Sequence, residues 1–385
     1  MIHYYAIRPL DVLSIRANRS FGASGEHGES LMPPWPSLFA GAFRAAMLGR
    51  DAAVLAEFRP GSAKPKGLLG DVLGTPEVPG SFRLAWASLG LEHDGVYSVA
   101  IPLPSDVTAV THKQNQQVEL HIIRPSTPPR GVCASLALPM FPVLRTAEPG
   151  KPVSGYWLTN QTLCQYLAGD SPEAPVSTAE LYKREIRVGI GLNRGSGTVE
   201  EGQIYSTDAI VFGGNTRFLV GVSGLGSHSD DLLADHGFLR LGGDGKGAEY
   251  RRIPGFQLPC VPLDVISRDK QFRLVMATPG IFSQGWPPER VVDGTLMGEG
   301  FSARLVAASI ARYEIISGWD IARWSPKSAL RVVPTGSVYW FDQLDGDIGK
   351  LAEWVSGGIW SDTSDSQRRA EGFNQAMLAA WPRRN

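Results

Sequence analysis

The chain has 385 residues, of which 43% are hydrophobic and 19% charged, and its formal charge at pH 7 is −1. That length suggests two domains, and the near-zero charge excludes a uniformly basic nucleic-acid binder, so any RNA contact must use local basic patches. The 44 glycines and 28 prolines argue for many short strands and long loops and exclude a helical bundle.

Tyr4 to Ile15 alternates loosely and predicts a strand. The segment from Arg16 to Met47 then runs through Gly, Ser and a double proline into a helix over Pro36 to Leu48. Pro36 suits the first helical turn, and Leu38, Phe39, Ala42, Phe43, Ala46 and Met47 share one helical face. The loop between offers backbone N–H groups and polar side chains, with Arg16, Asn18 and Arg19 at its start, His27 between Glu26 and Glu29, and Arg44 beyond it. Such a loop is suited to holding phosphates.

Phe82 to Leu91 and Val96 to Ile101 predict a hairpin closed by Asp94-Gly95. Residues 102–152, rich in proline and polar side chains, predict an exposed insertion on the first domain. Val188 to Phe212 predicts a strand–turn–strand with a basic tip at Asn193-Arg194-Gly195-Ser196-Gly197. Phe218 to Val222 predicts a strand, Ser229 to Gly237 a short capped helix, and Ala248 to Ile253 a further strand after L-G-G-D-G-K-G.

The order strand, helix, glycine loop, strand recurs in the second half. Phe272 to Ala277 predicts its first strand, Leu330 to Asp342 further strand material, Ile348 to Ser356 a helix, and Gly372-Phe373-Asn374 a reduced glycine loop before Ala376 to Trp381. Two weakly similar βαββαβ halves fit this pattern. The expected fold class is α+β, with tandem ferredoxin-like (RRM-like) domains over 1–265 and 266–385. The first would be enlarged by insertions at about 102–180 and a hairpin at 188–212.

Three clusters of arginine and lysine are candidates for an RNA groove: Arg16, Arg19 and Arg44; Lys183, Arg184 and Arg187 with Asn193 and Arg194; and Lys246, Arg251 and Arg252. Arginine donates bidentate hydrogen bonds to phosphate, and one face of a ferredoxin-like sheet is a platform for single-stranded RNA. A fourth group, Arg368, Arg369, Arg383 and Arg384, reads as a solvated surface.

The glycine loop Gly242-Gly243-Asp244-Gly245-Lys246-Gly247 is not a P-loop, since Gly247 follows Lys246, and it lacks the second carboxylate of a polymerase-type turn. It is either a plain turn or a backbone surface that RNA or a partner chain approaches closely.

G-x-S-x-G, H-E-x-x-H and calcium-loop signatures are absent. His93-Asp94 stands in a turn with no neighbouring ligands. Cys133, Cys164 and Cys260 are far apart and form no C-x-x-C pair, so neither a metal nor a disulfide framework is expected. His27 could serve as a general acid or base in RNA cleavage, against the plainer reading of a structural or RNA-contacting histidine. The N-terminus M-I-H-Y-Y-A-I-R-P-L is an aromatic strand without a basic leader, and no run approaches the ~20 apolar residues of a membrane span. A cytoplasmic location, no membrane and no cofactor are expected.

Five blocks, in order, carry a resemblance. They are F-G-A-S-G-E-H-G-E-S-L-M-P-P-W-P-S-L-F-A-G-A-F-R-A-A-M-L; V-G-I-G-L-N with E-E-G-Q-I-Y-S; L-G-G-D-G-K-G; A-T-P-G-I-F-S-Q-G-W-P-P; and I-S-G-W-D-I-A-R-W-S-P-K with V-P-T-G-S-V-Y-W-F. The chain resembles the RAMP superfamily of CRISPR RNA-binding proteins, and most of all the third subunit of the type III-B (Cmr) effector complex. It departs from that pattern in the single G-F-N near the C-terminus and in the 102–152 insertion.

The resemblance implies a non-catalytic subunit that caps the 5′ handle of the CRISPR RNA (crRNA). It also implies docking of the large polymerase/cyclase-like subunit to the backbone RAMP filament, with target RNA met indirectly. The candidate RNA-binding set, read from these basic clusters and loops, comprises Arg16, Asn18, Arg19, His27, Arg44, Lys183, Arg184, Arg187, Asn193, Arg194, Gly242, Gly243, Gly245, Lys246, Gly247 and Arg251. An extended hairpin that wedges the guide–target duplex belongs to the same expectation, with Arg194 at its tip. The alternatives are a RAMP endoribonuclease that processes CRISPR transcripts and the equivalent subunit of a type III-A complex.

Overall fold

A computed structural model describes residues 1–15, 27–28, 30–111, 117–132, 138–146, 150–193, 195–226, 229–243, 245–361 and 365–383, with backbone alone at 27–28, 200–205 and 229. Two antiparallel sheets organise the chain.

The first sheet has eight strands, and its centre runs Gly247–Arg252, Ile2–Pro9, Thr216–Ser223, Arg83–His93. Numbered along the chain, these four strands lie in the order 4-1-3-2. Residues alternate across the opening strand. Tyr5 and Ile7 point to the helix Pro36–Leu48, while Ala6 points to the opposite face. The helix begins with Pro36 at its first position, where a missing N–H costs nothing. It presents Phe39, Phe43 and Met47 to the sheet, with Phe43 5.2 Å from Tyr5 and Phe39 4.9 Å from Phe218, ring centre to ring centre. The predicted hairpin forms at Asp94-Gly95, both in the left-handed region with φ of 50° and 79°.

The second sheet has six strands, and four of them run Phe301–Ser309, Val338–Gly346, Phe272–Met276, Ala376–Ala379, again all antiparallel. Numbered along the chain, this is the same 4-1-3-2 order read from the other edge. The helix Ile348–Ser356, capped by Asp347, buries Leu351 and Val355 against one face. The other face carries Val275, Val306, Trp340 and Met377 into a cluster shared with Ala6, Trp86 and Leu219 of the first sheet. The two sheets therefore pack face to face across one apolar layer.

Several expectations are corrected. The opening strand ends at Pro9, and residues 10–15 leave the sheet through a single bridge from Leu13 to Ile210. The helix after Ser229 stops at Leu232, and His236–Arg240 becomes an edge strand. The strand Phe301–Ser309 was not foreseen, and Leu330 to Asp342 divides between a short strand, Leu330–Val332, and the start of a longer one.

The 102–152 segment is not merely an exposed insertion. Its strands Val107–Thr111 and Val118–Ile122 bury Val107, Ala109, Leu120 and Ile122 in the layer between the sheets. Asp106, just before them, meets Arg273 of the second sheet at 2.6 Å, with both side chains fully buried. The open sheet face expected to form an RNA groove is thus covered at its centre. Among the described residues no helix is long and apolar enough to cross a membrane.

Candidate nucleic-acid interface

The expected hairpin is a long ribbon of Tyr182–Leu192 paired with Val199–Phe212. An 11-residue strand reaches roughly 36 Å at about 3.3 Å per residue. The base of the ribbon is where the opening chain leaves and returns. Leu13 bridges to Ile210, and His27–Gly28 pair in parallel with Ser206 and Thr207. The Leu31 amide donates to the Ile15 carbonyl at 2.9 Å, which closes the loop whose inner part is 16–26. Arg16, Asn18, Arg19 and the tip residue Arg194 lie outside the described residues, and His27 is described by its backbone alone.

A polar knot fixes this base. Arg184 donates to the Ser30 carbonyl at 2.9 Å and pairs with Asp208, whose carboxylate is buried. The Ser30 hydroxyl donates to the Asp208 carbonyl and accepts from the Ile15 amide. By strand alternation Lys183 and Arg187 occupy the other face, where Arg187 meets Glu185 at 3.2 Å. Lys183 is exposed and has no ion pair among the described residues.

The glycine loop packs on the same place. The Gly243 amide donates to the Ser14 carbonyl at 2.7 Å, and the Leu241 amide to the Lys246 carbonyl at 2.9 Å. Lys246 Nζ reaches Asp11 Oδ2 at 2.6 Å. The hydrogen bond from Lys246 holds the Asp11 carboxyl below its usual range, helped by the Val12 amide and the nearby charge of Arg187. Asp11 thus ties the glycine loop to the segment that reaches the ribbon through the Leu13–Ile210 bridge.

Gly242 has φ of 84°, and a Cβ there would stand 2.8 Å from the Ser14 carbonyl oxygen, whereas one at Gly245 would meet nothing within 4 Å. The close approach at Gly242 is thus to the chain itself, while Gly245 faces open space. Gly242→Ala is expected to cost about 1–3 kcal/mol, from left-handed strain and displacement of the backbone at Ser14. Thermal unfolding of the variant checks this, and a Gly245→Ala control should lose less.

Arg184, Arg187 and Lys246 thus surround the two ends of the 16–26 loop, Arg184 on one face of the ribbon and Arg187, with Lys183, on the other. Three other predicted residues are elsewhere or differently employed. The Arg44 guanidinium lies 5.3 Å from the Phe82 ring, and its Nε is buried with no hydrogen-bond partner among the described residues. Burial pushes the Arg44 pKa down, against the pull of Glu371 in the second half. Arg251 follows Tyr250, which packs on the helix Pro36–Leu48, so Arg251 lies on the opposite face of the first sheet. Asn193 caps the ribbon tip, its Oδ1 accepting from the Gly195 and Ser196 amides at 2.9 and 3.2 Å.

The anchors Asp11, Ser30 and Asp208 were missed, because nothing local marks a carboxylate as the partner of a distant cation. A second missed feature did leave a signal. Ile186, Val188, Ile190 and Leu192 alternate along one ribbon face and are 67%, 71%, 48% and 57% exposed. A period-2 apolar run normally marks a half-buried strand. Here it lies open, on a two-stranded element that is marginal without cover. The arrangement offers cations and backbone donors at one mouth beside a protruding apolar ribbon. It suits binding a phosphate chain and inserting between neighbours.

The profile of the family described as CRISPR-associated protein (Cas_Cmr3) matches residues 5–381. Among curated proteins, none matches the chain significantly. Among solved structures, the chain is similar to one in the cryo-EM structure of the type III-B Cmr-beta bound to cognate target RNA and AMPPnP. The identity is 15%, the coverage 96% of this chain and 93% of the other, and the TM-score 0.48. It is also similar to one in the crystal structure of the Csm3-Csm4 subcomplex of the type III-A CRISPR-Cas interference complex. There the identity is 10%, the coverage 90% and 94%, and the TM-score 0.36.

Proposed function

The chain belongs to the Cas_Cmr3 family of CRISPR-associated proteins, and on that footing we propose that it is a non-catalytic crRNA-binding subunit of a cytoplasmic type III-B effector complex. In this reading it caps the 5′ handle of the crRNA and joins the large polymerase/cyclase-like subunit to the backbone filament. The observation that carries the proposal is the placing of Arg184, Arg187 and Lys246 around both ends of the 16–26 loop at the foot of one ribbon. Phosphate contacts position an RNA, and only the groove for the handle needs to be basic, which fits a chain of charge −1.

The ribbon is the natural wedge between guide and target, since its outer part pairs with no other strand beyond His27–Gly28 among the described residues. The shared 4-1-3-2 strand order supports reading the two halves as tandem ferredoxin-like units.

Affinity purification of the tagged chain from its native host, with sequencing of bound RNA, tests the proposal. Short RNAs sharing a repeat-derived 5′ handle, together with the large and backbone subunits, are the expected result. Cleavage of repeat RNA by the isolated chain, abolished in His27→Ala with binding retained, would replace the proposal with a processing nuclease.

A further inference from the structure

The block I-S-G-W-D-I-A-R-W-S-P-K forms a finger that the RNA reading leaves unused. Its stem is the hairpin Glu314–Ile316 with Leu330–Val332, and its tip pairs Trp319–Asp320 with Ser325–Pro326. The inner side is anchored. Ile316 and Val332 are buried with Trp360 and Phe373, and both terminal nitrogens of Arg368 donate to the Ser317 carbonyl at 3.3 Å.

The outer side is the reverse. Tyr313, Trp319, Ile321 and Trp324 are 47%, 51%, 74% and 76% exposed. The two tryptophans and the turn between them are also held in place. The Trp319 and Trp324 rings meet edge to face at 5.8 Å, the Arg323 amide donates to Asp320 Oδ1 at 3.0 Å, and Trp324 sits at φ of 51°. A bulky residue held in the left-handed region, with its ring in solvent, is an unusual thing for a fold to maintain.

The surrounding charge has one sign outward. Arg312 and Arg331 flank the Tyr313 ring at 6.0 and 5.1 Å, and Arg323 is exposed, paired at 3.8 Å with Asp320, which like Glu314 is drawn partly inward. Exposed tryptophan, tyrosine and arginine around an aliphatic centre is the composition of an interface hot spot. A nucleic acid would want open parallel ring faces. The two indoles instead cover one another edge to face, and Ile321, among the most exposed of the set, offers nothing to a base.

We propose that the outer face of this finger docks a protein surface carrying an apolar pocket rimmed by carboxylates, on another subunit of the assembly. This rests on the chain being a subunit, and the test separates the two claims. The assembly is purified through a tag on the wild-type chain and on the variants Ile321→Asp, Trp324→Ala and Arg312→Glu/Arg331→Glu. Subunit content is read by native mass spectrometry, crRNA by sequencing, and the finger's neighbour by a photo-crosslinker placed at position 321. All three variants are expected to lose the same single subunit, with about tenfold or greater weakening, and to keep their crRNA. The crosslink should fall in an apolar pocket bordered by acidic residues. Full subunit content in every variant overturns the finger proposal alone, as does loss of RNA with all subunits retained, which would make the finger a nucleic-acid surface. A wild-type chain that brings down no partner overturns the subunit reading itself.

Discussion

Asp106→Ala is expected to destabilise the chain by about 3–5 kcal/mol, the usual cost of leaving a buried charge without its partner. The charge stranded is Arg273, whose side chain is wholly buried. Its Nη1 donates to Asp106 Oδ2 at 2.6 Å, its Nη2 to the Tyr166 carbonyl at 2.6 Å, and its Nε to the Ala380 carbonyl at 2.8 Å. The guanidinium carbon also lies 4.2 Å from the centre of the Tyr166 ring.

Tyr166 completes the arrangement by donating its hydroxyl to Asp106 Oδ1 at 2.7 Å. Burial, above all, pushes the Tyr166 pKa well up, so the hydroxyl remains a donor throughout the neutral range. Each member comes from a different part of the chain: the 102–152 segment, the helix Asn160–Leu167, the first strand of the second sheet, and Ala380 just past its last strand. Breaking the pair therefore loosens the joint between the halves as well as one contact.

Urea unfolding monitored by tryptophan fluorescence reads the loss as a lower midpoint. The second half should separate from the first if the joint, rather than a local cavity, is what fails. The double variant Asp106→Leu/Arg273→Met should recover much of the loss, because it removes both charges together. A loss below about 1 kcal/mol in Asp106→Ala would mean that the buried ion pair is not what holds the halves together.

That joint also marks where the sequence stops being legible. The helix Pro36–Leu48 was foreseen at its observed bounds because its apolar spacing and Pro36 are local signals. The helix Ile348–Ser356 likewise follows Asp347, whose side chain accepts from the Gly349 amide. The turn at Asp94-Gly95 was as plain. In contrast, Asp106 and Arg273 are separated by 167 positions, and no local pattern joins them. The strands after Asp106 are only five residues long, too short for their alternation to outweigh the surrounding proline and glutamine.

The same limit applies at the ribbon. Residue type and crowding pointed to Lys183, Arg184, Arg187 and Lys246; the first three stand on the ribbon base, and Lys246 stands on the glycine loop beside it. Crowding also pointed to Arg44, which the helix instead turns toward Phe82. Which cation is tied to which carboxylate is a non-local fact, and it decides how each one can be used.

That distinction shapes the strongest functional prediction. Arg184 is a poor test of RNA binding, because its bonds to Ser30 and Asp208 also seat the ribbon, and removing it would confuse folding with affinity. Lys183, Arg187 and Lys246 are better. Lys183 has no ion pair among the described residues, and the other two make only solvent-screened surface pairs with Glu185 and Asp11, which add little to the fold.

Reversing all three (Lys183→Glu, Arg187→Glu, Lys246→Glu) should leave the melting temperature nearly unchanged. Affinity for an RNA carrying the 5′ handle should fall by about a hundredfold or more at physiological salt. The salt dependence is the more telling readout. A single strand gives a slope near −0.7 per phosphate neutralised, so losing three contacts should make the slope shallower by about 2. Weaker binding with an unchanged slope would mean that the substitutions disturb the ribbon and that the phosphates lie elsewhere. Unchanged affinity would remove the ribbon base as the handle site. If each single reversal takes away a similar share of both affinity and slope, three separate phosphates are being held along one path from the glycine loop to the ribbon.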